Sequence, residues 1–119
     1  MKFYINYWRN ESGKAPVEQY IDSIDNKKER AELFTLLKGI QENGTDTIGV
    51  EFRHIDRKLW ELKIKSHSKK HRIFYVVLRG NEMILLHAYL KKSQKAPLKE
   101  IQVAQKRLKK VLTLREEQQ

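Results

Sequence analysis

Residues 72–78 read RIFYVVL, a run that is apolar on both strand faces apart from its first residue. Successive side chains of a strand point to opposite sides of a sheet, so such a run has no wet side and reads as a central strand. Arg79-Gly80-Asn81 follows, then a second apolar run over Met83–Leu90. A short glycine-containing turn between two such runs marks a hairpin. The rest of the chain must be arranged around this pair. With 119 residues there is material for one core and too little for two comfortable domains. We therefore expect a single domain over 1–115, with 116–119 as a disordered tail.

The other elements follow from periodicity. Phe3, Ile5 and Tyr7 alternate with Lys2, Tyr4, Asn6 and Trp8, a first strand that Ser12-Gly13 ends. Pro16 suits the first position of a short helix with Val17, Tyr20, Ile21 and Ile24 on one face. A second helix begins near Asn26, whose side chain can cap it while Glu29 completes a capping-box-like pair. Its expected buried face is Ala31, Phe34, Leu37 and Ile40, and Asn43-Gly44 supplies a left-handed stop. The two helices read as an antiparallel hairpin. Beyond Gly49 come a short strand near Phe52–Ile55 and a longer one over Leu59–Lys65. Pro97 opens a C-terminal helix with Ile101, Ala104, Leu108, Val111 and Leu112 on one face and Lys99, Lys106, Lys109 and Lys110 elsewhere. The expected class is α+β: a four- or five-stranded, mostly antiparallel sheet carrying the helical hairpin and the C-terminal helix, with a basic concave face left open.

Charge locates that face. Lys and Arg number 25 against 15 Asp and Glu, for a net charge of +10, which makes a polyanion the default partner and nucleic acid the first choice. The excess is uneven. Glu11–Asp46 holds eight acidic and five basic residues, net −3, whereas Thr47–Lys110 holds five acidic and seventeen basic, net +12. No stretch is apolar for long enough to span a bilayer, and MKFYINYWRN lacks a signal-peptide core, so a cytoplasmic location is expected. The absence of cysteine removes disulfides, thiolate metal sites and a thiol nucleophile.

Alternation in Leu59–Lys65 sets Trp60, Leu62 and Ile64 on the core side, Trp60 being read as core, and Glu61, Lys63 and Lys65 on the other. Arg72 stands where the central strand is read to begin, and the hairpin partner ends in His87, Tyr89, Lys91 and Lys92, with Lys95 just beyond. A charged row is also what the wet side of any sheet carries. The functional reading rests on several segments bringing Glu61, Lys63, Arg72, His87 and Lys91/Lys92 to one cationic concavity that holds a carboxylate and an imidazole. That mixture suits RNA cleavage without a metal, in which the ribose 2′-hydroxyl attacks its own phosphate. The protein must then neutralise the phosphate, accept one proton and donate another. Arg72 is the natural clamp, because its planar fork grips phosphate and keeps its charge. Lys63 and Lys92 add point charges, and either Glu61 or His87 takes the 2′-hydroxyl proton. Lys58, Lys65, Lys91 and Lys95 extend the surface for the RNA backbone. A metal or other cofactor is not expected: the acidic residues sit mainly in the helical hairpin, and His67 and His71 in KSHSKKH have no carboxylate beside them in sequence. His54 and His67 read as surface residues.

Four segments, LWELK at 59–63, HRIFY at 71–75, ILLHAYLKKSQKAP at 84–97 and EIQVAQKRL at 100–108, resemble the phage-derived, HigB-like branch of the RelE/ParE toxin superfamily. The likeness extends over essentially the whole chain, including the order of elements. It implies a RelE-like fold, a ribosome-dependent mRNA endonuclease, and a partner antitoxin of the HigA-like helix-turn-helix type. It also implies that Lys63, Arg72 and the Lys91/Lys92 to Lys95 segment line the mRNA cleft. The RelE branch of the superfamily carries a lysine where Glu61 stands, an arginine near Ser93 and a tyrosine near Lys99, so its acid–base roles are not carried over. ParE-type members share the fold and act on DNA gyrase instead, and a non-catalytic nucleic-acid-binding module is a further alternative. From the charge layout, RNA affinity should fall steeply between low and physiological salt, by a log–log slope of about −0.7 per neutralised phosphate on a single strand. A flat salt response in an anisotropy titration would remove the polyanion reading.

Overall fold

The computed structural model describes residues 2–117. The elements are β1 (Tyr4–Tyr7), α1 (Pro16–Asp22), α2 (Lys27–Asn43), β2 (Val50–Asp56), β3 (Leu59–Ser66), β4 (Lys69–Leu78), β5 (Glu82–Leu90) and α3 (Leu98–Glu117). A short 3-10 turn, Gly44–Asp46, follows α2. Among the described residues the strands form one five-stranded sheet in the order β1-β5-β4-β3-β2. β2 to β5 are joined by consecutive antiparallel hairpins, while β1 lies parallel to β5 at the edge. The class and the order of elements are those expected from the sequence.

The apolar β4 sits at the centre, and each of its faces is roofed. Ile73 and Tyr75 meet α1 and α2 through Val17, Ile21, Leu33, Leu37 and Ile40. Phe74 and Val76 meet α3 through Ala104, Leu108 and Val111. The sheet is thus sandwiched between the helical hairpin and the C-terminal helix. Pro16 stands at the first position of α1, and Asn26 caps α2 by accepting from the Glu29 amide at 3.0 Å. Arg79 and Gly80 both take positive φ in the β4–β5 turn, at 51° and 85°, a backbone that matches the right-handed twist of the strands it joins.

Several expectations are corrected. The buried side of α2 is Leu33, Leu37 and Ile40 with Glu29, while Ala31 and Phe34 face solvent. The real stripe begins two positions after Ala31, since Leu33 and Leu37 are four apart and stack on one side of the helix. Glu29 does not close a capping box. Its carboxylate instead lies 2.5 Å from Nε2 of His71, whose Nδ1 is 2.7 Å from the Tyr20 hydroxyl. The carboxylate that sequence spacing denied to His71 therefore comes from α2, and this buried polar group ties α1, α2 and β4 together. Trp60 is 36% exposed: it points to the core side, but near the outer edge of the sheet against His54 and Tyr75, beyond the reach of the helices. β4 begins three residues earlier than read, so Arg72 lies inside the strand and not at its start. Of the tail expected at 116–119, residues 116–117 continue α3 and Gln118–Gln119 lie outside the described residues.

The rotation of α2 has a direct test in urea unfolding. Leu33→Ala, at a fully buried position, should cost about 2–5 kcal/mol, whereas Phe34→Ala should stay within about 0.5 kcal/mol of the parent.

Candidate nucleic-acid interface

The face of the sheet under α3 changes character along the strands. Under the helix it is apolar, with Leu59, Val76, Ile84 and Leu86. Strand register then fixes three further rows beyond it. Arg53 is opposite Glu61, Glu61 opposite Phe74 and Phe74 opposite His87. In the next row Glu51, Lys63, Arg72 and Tyr89 follow one another across four strands. In the last, Lys65 is opposite Lys70, and the Lys91 amide bonds the Lys70 carbonyl at 2.8 Å. α3 covers Phe74 and His87 in the first of these rows, while Arg53, Lys65 and Lys70 beyond the helix are exposed, so alternation gathers charged side chains into a cationic surface beside it. A cleft of about 380 Å³ between this surface and the chain entering α3 is lined by Arg53, Glu61, Tyr89, Lys91, Pro97 and Ile101, among others.

Arg72 is buried, at 8% exposure, yet its guanidinium makes a single hydrogen bond, from Nη1 to the His71 carbonyl at 3.1 Å. None of the salt bridges among the described residues involves it, so most donors of its fork are free for an anion. Glu61 is also buried, at 3% exposure, and no hydrogen bond or ion pair among the described residues engages its carboxylate. Burial pushes its pKa above the usual carboxylate value, against the pull of Arg72, Arg53, Lys63 and Lys91. Lys63 is held by Glu51 at 2.8 Å, and that hydrogen bond is the main reason the exposed Glu51 carboxyl is lowered. The Tyr89 phenol is pushed up to about 12 by burial and then by the charge of Glu61, which keeps its proton in place.

His87 is differently placed. Arg107 of α3 donates to its Nδ1 at 3.3 Å, and its Nε2 lies 3.2 Å from Oε1 of Glu100. A guanidinium is only a donor, so Nδ1 accepts and Nε2 carries the proton given to Glu100. Burial lowers the imidazole pKa, against the bond and charge of Glu100, and Arg107 adds to the lowering. Both ring nitrogens are thus occupied by α3, and the ring stacks on Phe74 at 5°. Arg107 also bonds the Leu86 carbonyl at 2.9 Å and lies over the Trp8 ring.

The structure therefore brings Glu61, Lys63, Arg72 and Lys91 to one surface, with Lys65 on the adjoining row. Lys92 and Lys95 are exposed on the segment between β5 and α3, and neither they nor Lys63 and Arg72 are among the residues that line the cleft. Lys58 is in the β2–β3 turn, five residues from Lys63 and so roughly 16 Å away along the strand. A larger hollow of about 750 Å³ between β1 and the β4–β5 turn holds neither carboxylate nor imidazole, so size alone does not mark the site. Among the described residues no three His, Asp or Glu side chains converge as a metal-binding group, and no helix is long and apolar enough to cross a membrane.

Residues 19–109 match the model of a family described as Phage derived protein Gp49-like (DUF891). The chain belongs to this Gp49-like family. The family is related to RelE-like toxins and associated with toxin–antitoxin systems, which implies an antitoxin partner. None of the curated proteins compared with the chain is similar to it in sequence.

Within this Gp49-like fold the residues that sequence reasoning left out are Arg53, Glu100 and Arg107, while Tyr89, which alternates with His87 and Lys91 in β5, was named beside them without a role. Arg53 depended on the β2–β3 register, and Glu100 and Arg107 on the seating of α3, neither of which leaves a local signal. The raised pKa of Glu61 means that the folded state favours its protonated form. The associated stability is fully present below the ordinary glutamate value and is lost as pH rises through the raised one. Glu61→Gln should accordingly raise the melting temperature at neutral pH, with the gain shrinking in acid. An equal effect at both pH values would contradict this electrostatic account.

Proposed function

We propose that this chain is a metal-independent endoribonuclease toxin of HigB-like type that cuts mRNA, in the ribosome-dependent manner its resemblance implies, and is neutralised by a HigA-like helix-turn-helix antitoxin. The observation that carries this reading is that one cationic face holds both Arg72, a buried guanidinium with no carboxylate partner among the described residues, and Glu61, a buried carboxylate with no hydrogen-bond donor among them. A binding module has a use for the cations and none for the poised carboxylate. Family membership supports the toxin role, and the surrounding Lys63, Lys65, Lys91 and Arg53 supply attraction for the RNA backbone.

In the proposed reaction Glu61 accepts the 2′-hydroxyl proton, the 2′-oxygen bonds to phosphorus and the bond to the 5′-oxygen breaks. The products are a 2′,3′-cyclic phosphate and a 5′-hydroxyl. A carboxylate whose pKa is raised is a better base near neutrality than an ordinary one. Arg72 and Lys63 take up the growing charge on the non-bridging oxygens. Tyr89, which keeps its proton, is placed to protonate the leaving oxygen. His87, engaged at both nitrogens, holds α3 against the sheet and leaves the base role to Glu61. Lys92 and Lys95 contact RNA outside the cleft. An antitoxin would act by covering the cleft or by displacing α3, which carries the Glu100 and Arg107 contacts.

Inducing the chain alone should produce cleaved mRNA and growth arrest. Arg72→Ala should lower cleavage by on the order of 10² to 10³ in protein that still melts cooperatively. Arg72→Lys should recover only part, because an ammonium cannot reproduce the fork. Cleavage by Arg72→Ala at near the parent rate would sink the assignment. Intact mRNA together with lost DNA supercoiling would point to the gyrase-directed alternative, and neither effect to the non-catalytic one.

A further inference from the structure

The β3–β4 hairpin tip combines two features that cost stability. The first is a like-charged row: Lys65 and Lys70 are direct cross-strand partners, and Lys91 continues the row on β5. Like charges placed opposite each other in a sheet repel. None of the three takes part in a salt bridge among the described residues. The second is the turn itself. Ser66 pairs with Lys69, so the turn has only His67 and Ser68, and both are left-handed, at φ 51° and 67°. A two-residue turn of this kind is ordinarily built from glycine, asparagine or aspartate, because other residues are strained there. A sequence selected for stability alone would relieve either feature by one substitution.

The placement of the tip accounts for both. β2 pairs with β3 only from Ile64 onward, and β5 reaches β4 no further than Lys70. Residues 65–69 thus extend past the neighbouring strands as a narrow finger bearing Lys65 and Lys69, with Lys70 at its base beside Lys91, and all three of Lys65, Lys69 and Lys70 are exposed. The lysine row is the next one along the strands after the Lys63–Arg72 row, a step of about 6.6 Å for two residues. That step is comparable to the distance between successive phosphates of an extended single strand.

We propose that this finger is a separate phosphate-binding subsite, in which Lys70, with Lys65 and Lys91 beside it and Lys69 on the opposite side, grips the backbone of single-stranded RNA next to the phosphate held by Arg72. The inference rests on the endoribonuclease reading of the cleft and adds to it a footprint longer than the cleft. The tight turn keeps the tip short, so Lys65 and Lys70 stay in one row with Lys91.

Fluorescence anisotropy with oligouridine of two lengths tests it, one length spanning the cleft only and the other continuing past it. The unmodified chain should bind the longer oligomer at least tenfold more tightly at low salt. Lys69→Ala/Lys70→Ala should abolish that advantage, leave the shorter oligomer bound as before, and reduce the salt slope by about 0.7 for each phosphate no longer neutralised. Lys70→Arg should retain the advantage, and melting temperatures should show that the variants fold. If the double variant binds the longer oligomer as tightly as the parent and with the same salt slope, the subsite is overturned and the cleft reading stands. If the unmodified chain binds neither oligomer, the cleft reading fails and the subsite with it.

Discussion

A strand apolar on both faces must be covered twice, and in this fold that requirement on β4 organises everything else. Ile73 and Tyr75 are fully or almost fully buried under the helical hairpin, and Phe74 and Val76 under α3. At about 25 cal/mol per Å² of apolar surface removed from water, such side chains contribute roughly 1.5–3 kcal/mol each. The helices on the two faces are nonetheless unequal. The hairpin supplies five buried aliphatic side chains to its core, while α3 supplies Ala104, Leu108 and Val111. The lighter roof leaves part of its face open, and the charged rows lie there.

Two irregularities connect this packing to the candidate chemistry. A bulge falls between Phe74 and Tyr75 in the pairing with β5, where Phe74 is opposite His87 and Tyr75 opposite Leu85. The extra residue, Leu86, shifts the alternation of β5, so that His87 and Tyr89 share the α3 side with Ile84 and Leu86. Bulges re-aim side chains in this way and are frequent beside functional sites. On the other face the Glu29–His71–Tyr20 group is a buried polar cluster beside the apolar core. It sits one residue before Arg72, whose guanidinium returns to the His71 carbonyl. Every side-chain nitrogen or oxygen wholly sealed from solvent among the described residues has a hydrogen-bond partner, as a packed interior demands.

The charged face beside α3 holds a buried guanidinium and a buried carboxylate among exposed lysines. Arg53, Lys63, Arg72 and Lys91 all act on the Glu61 carboxyl, yet burial outweighs their combined pull and its pKa stays raised. A carboxylate that so many cations fail to lower is a proton acceptor better suited to neutral pH than an exposed one. The His87 imidazole, by contrast, has its pKa lowered by burial and is bonded at both nitrogens to α3. Two groups that look equivalent in sequence as candidate bases are separated by what packs on them.

The amino-acid sequence by itself determined the class, the order of elements, the central place of β4 and the basic half of the chain. These depend on period and composition, which are local and survive any tertiary arrangement. It also placed Glu61 and Lys63 on one side of β3, since alternation is a property of the single strand. The side of α2 that is buried, the exposure of Trp60, the face that receives His87 and the partner of His71 were decided only by the fold. Each depends on where a second element comes to rest: α2 rotates to bring Leu33 and Glu29 over β4, Trp60 falls outside the cover of the helices, and one bulge turns the end of β5. Pairing across strands and seating of helices are set by the sum of many weak contacts, and no short stretch of sequence records that sum.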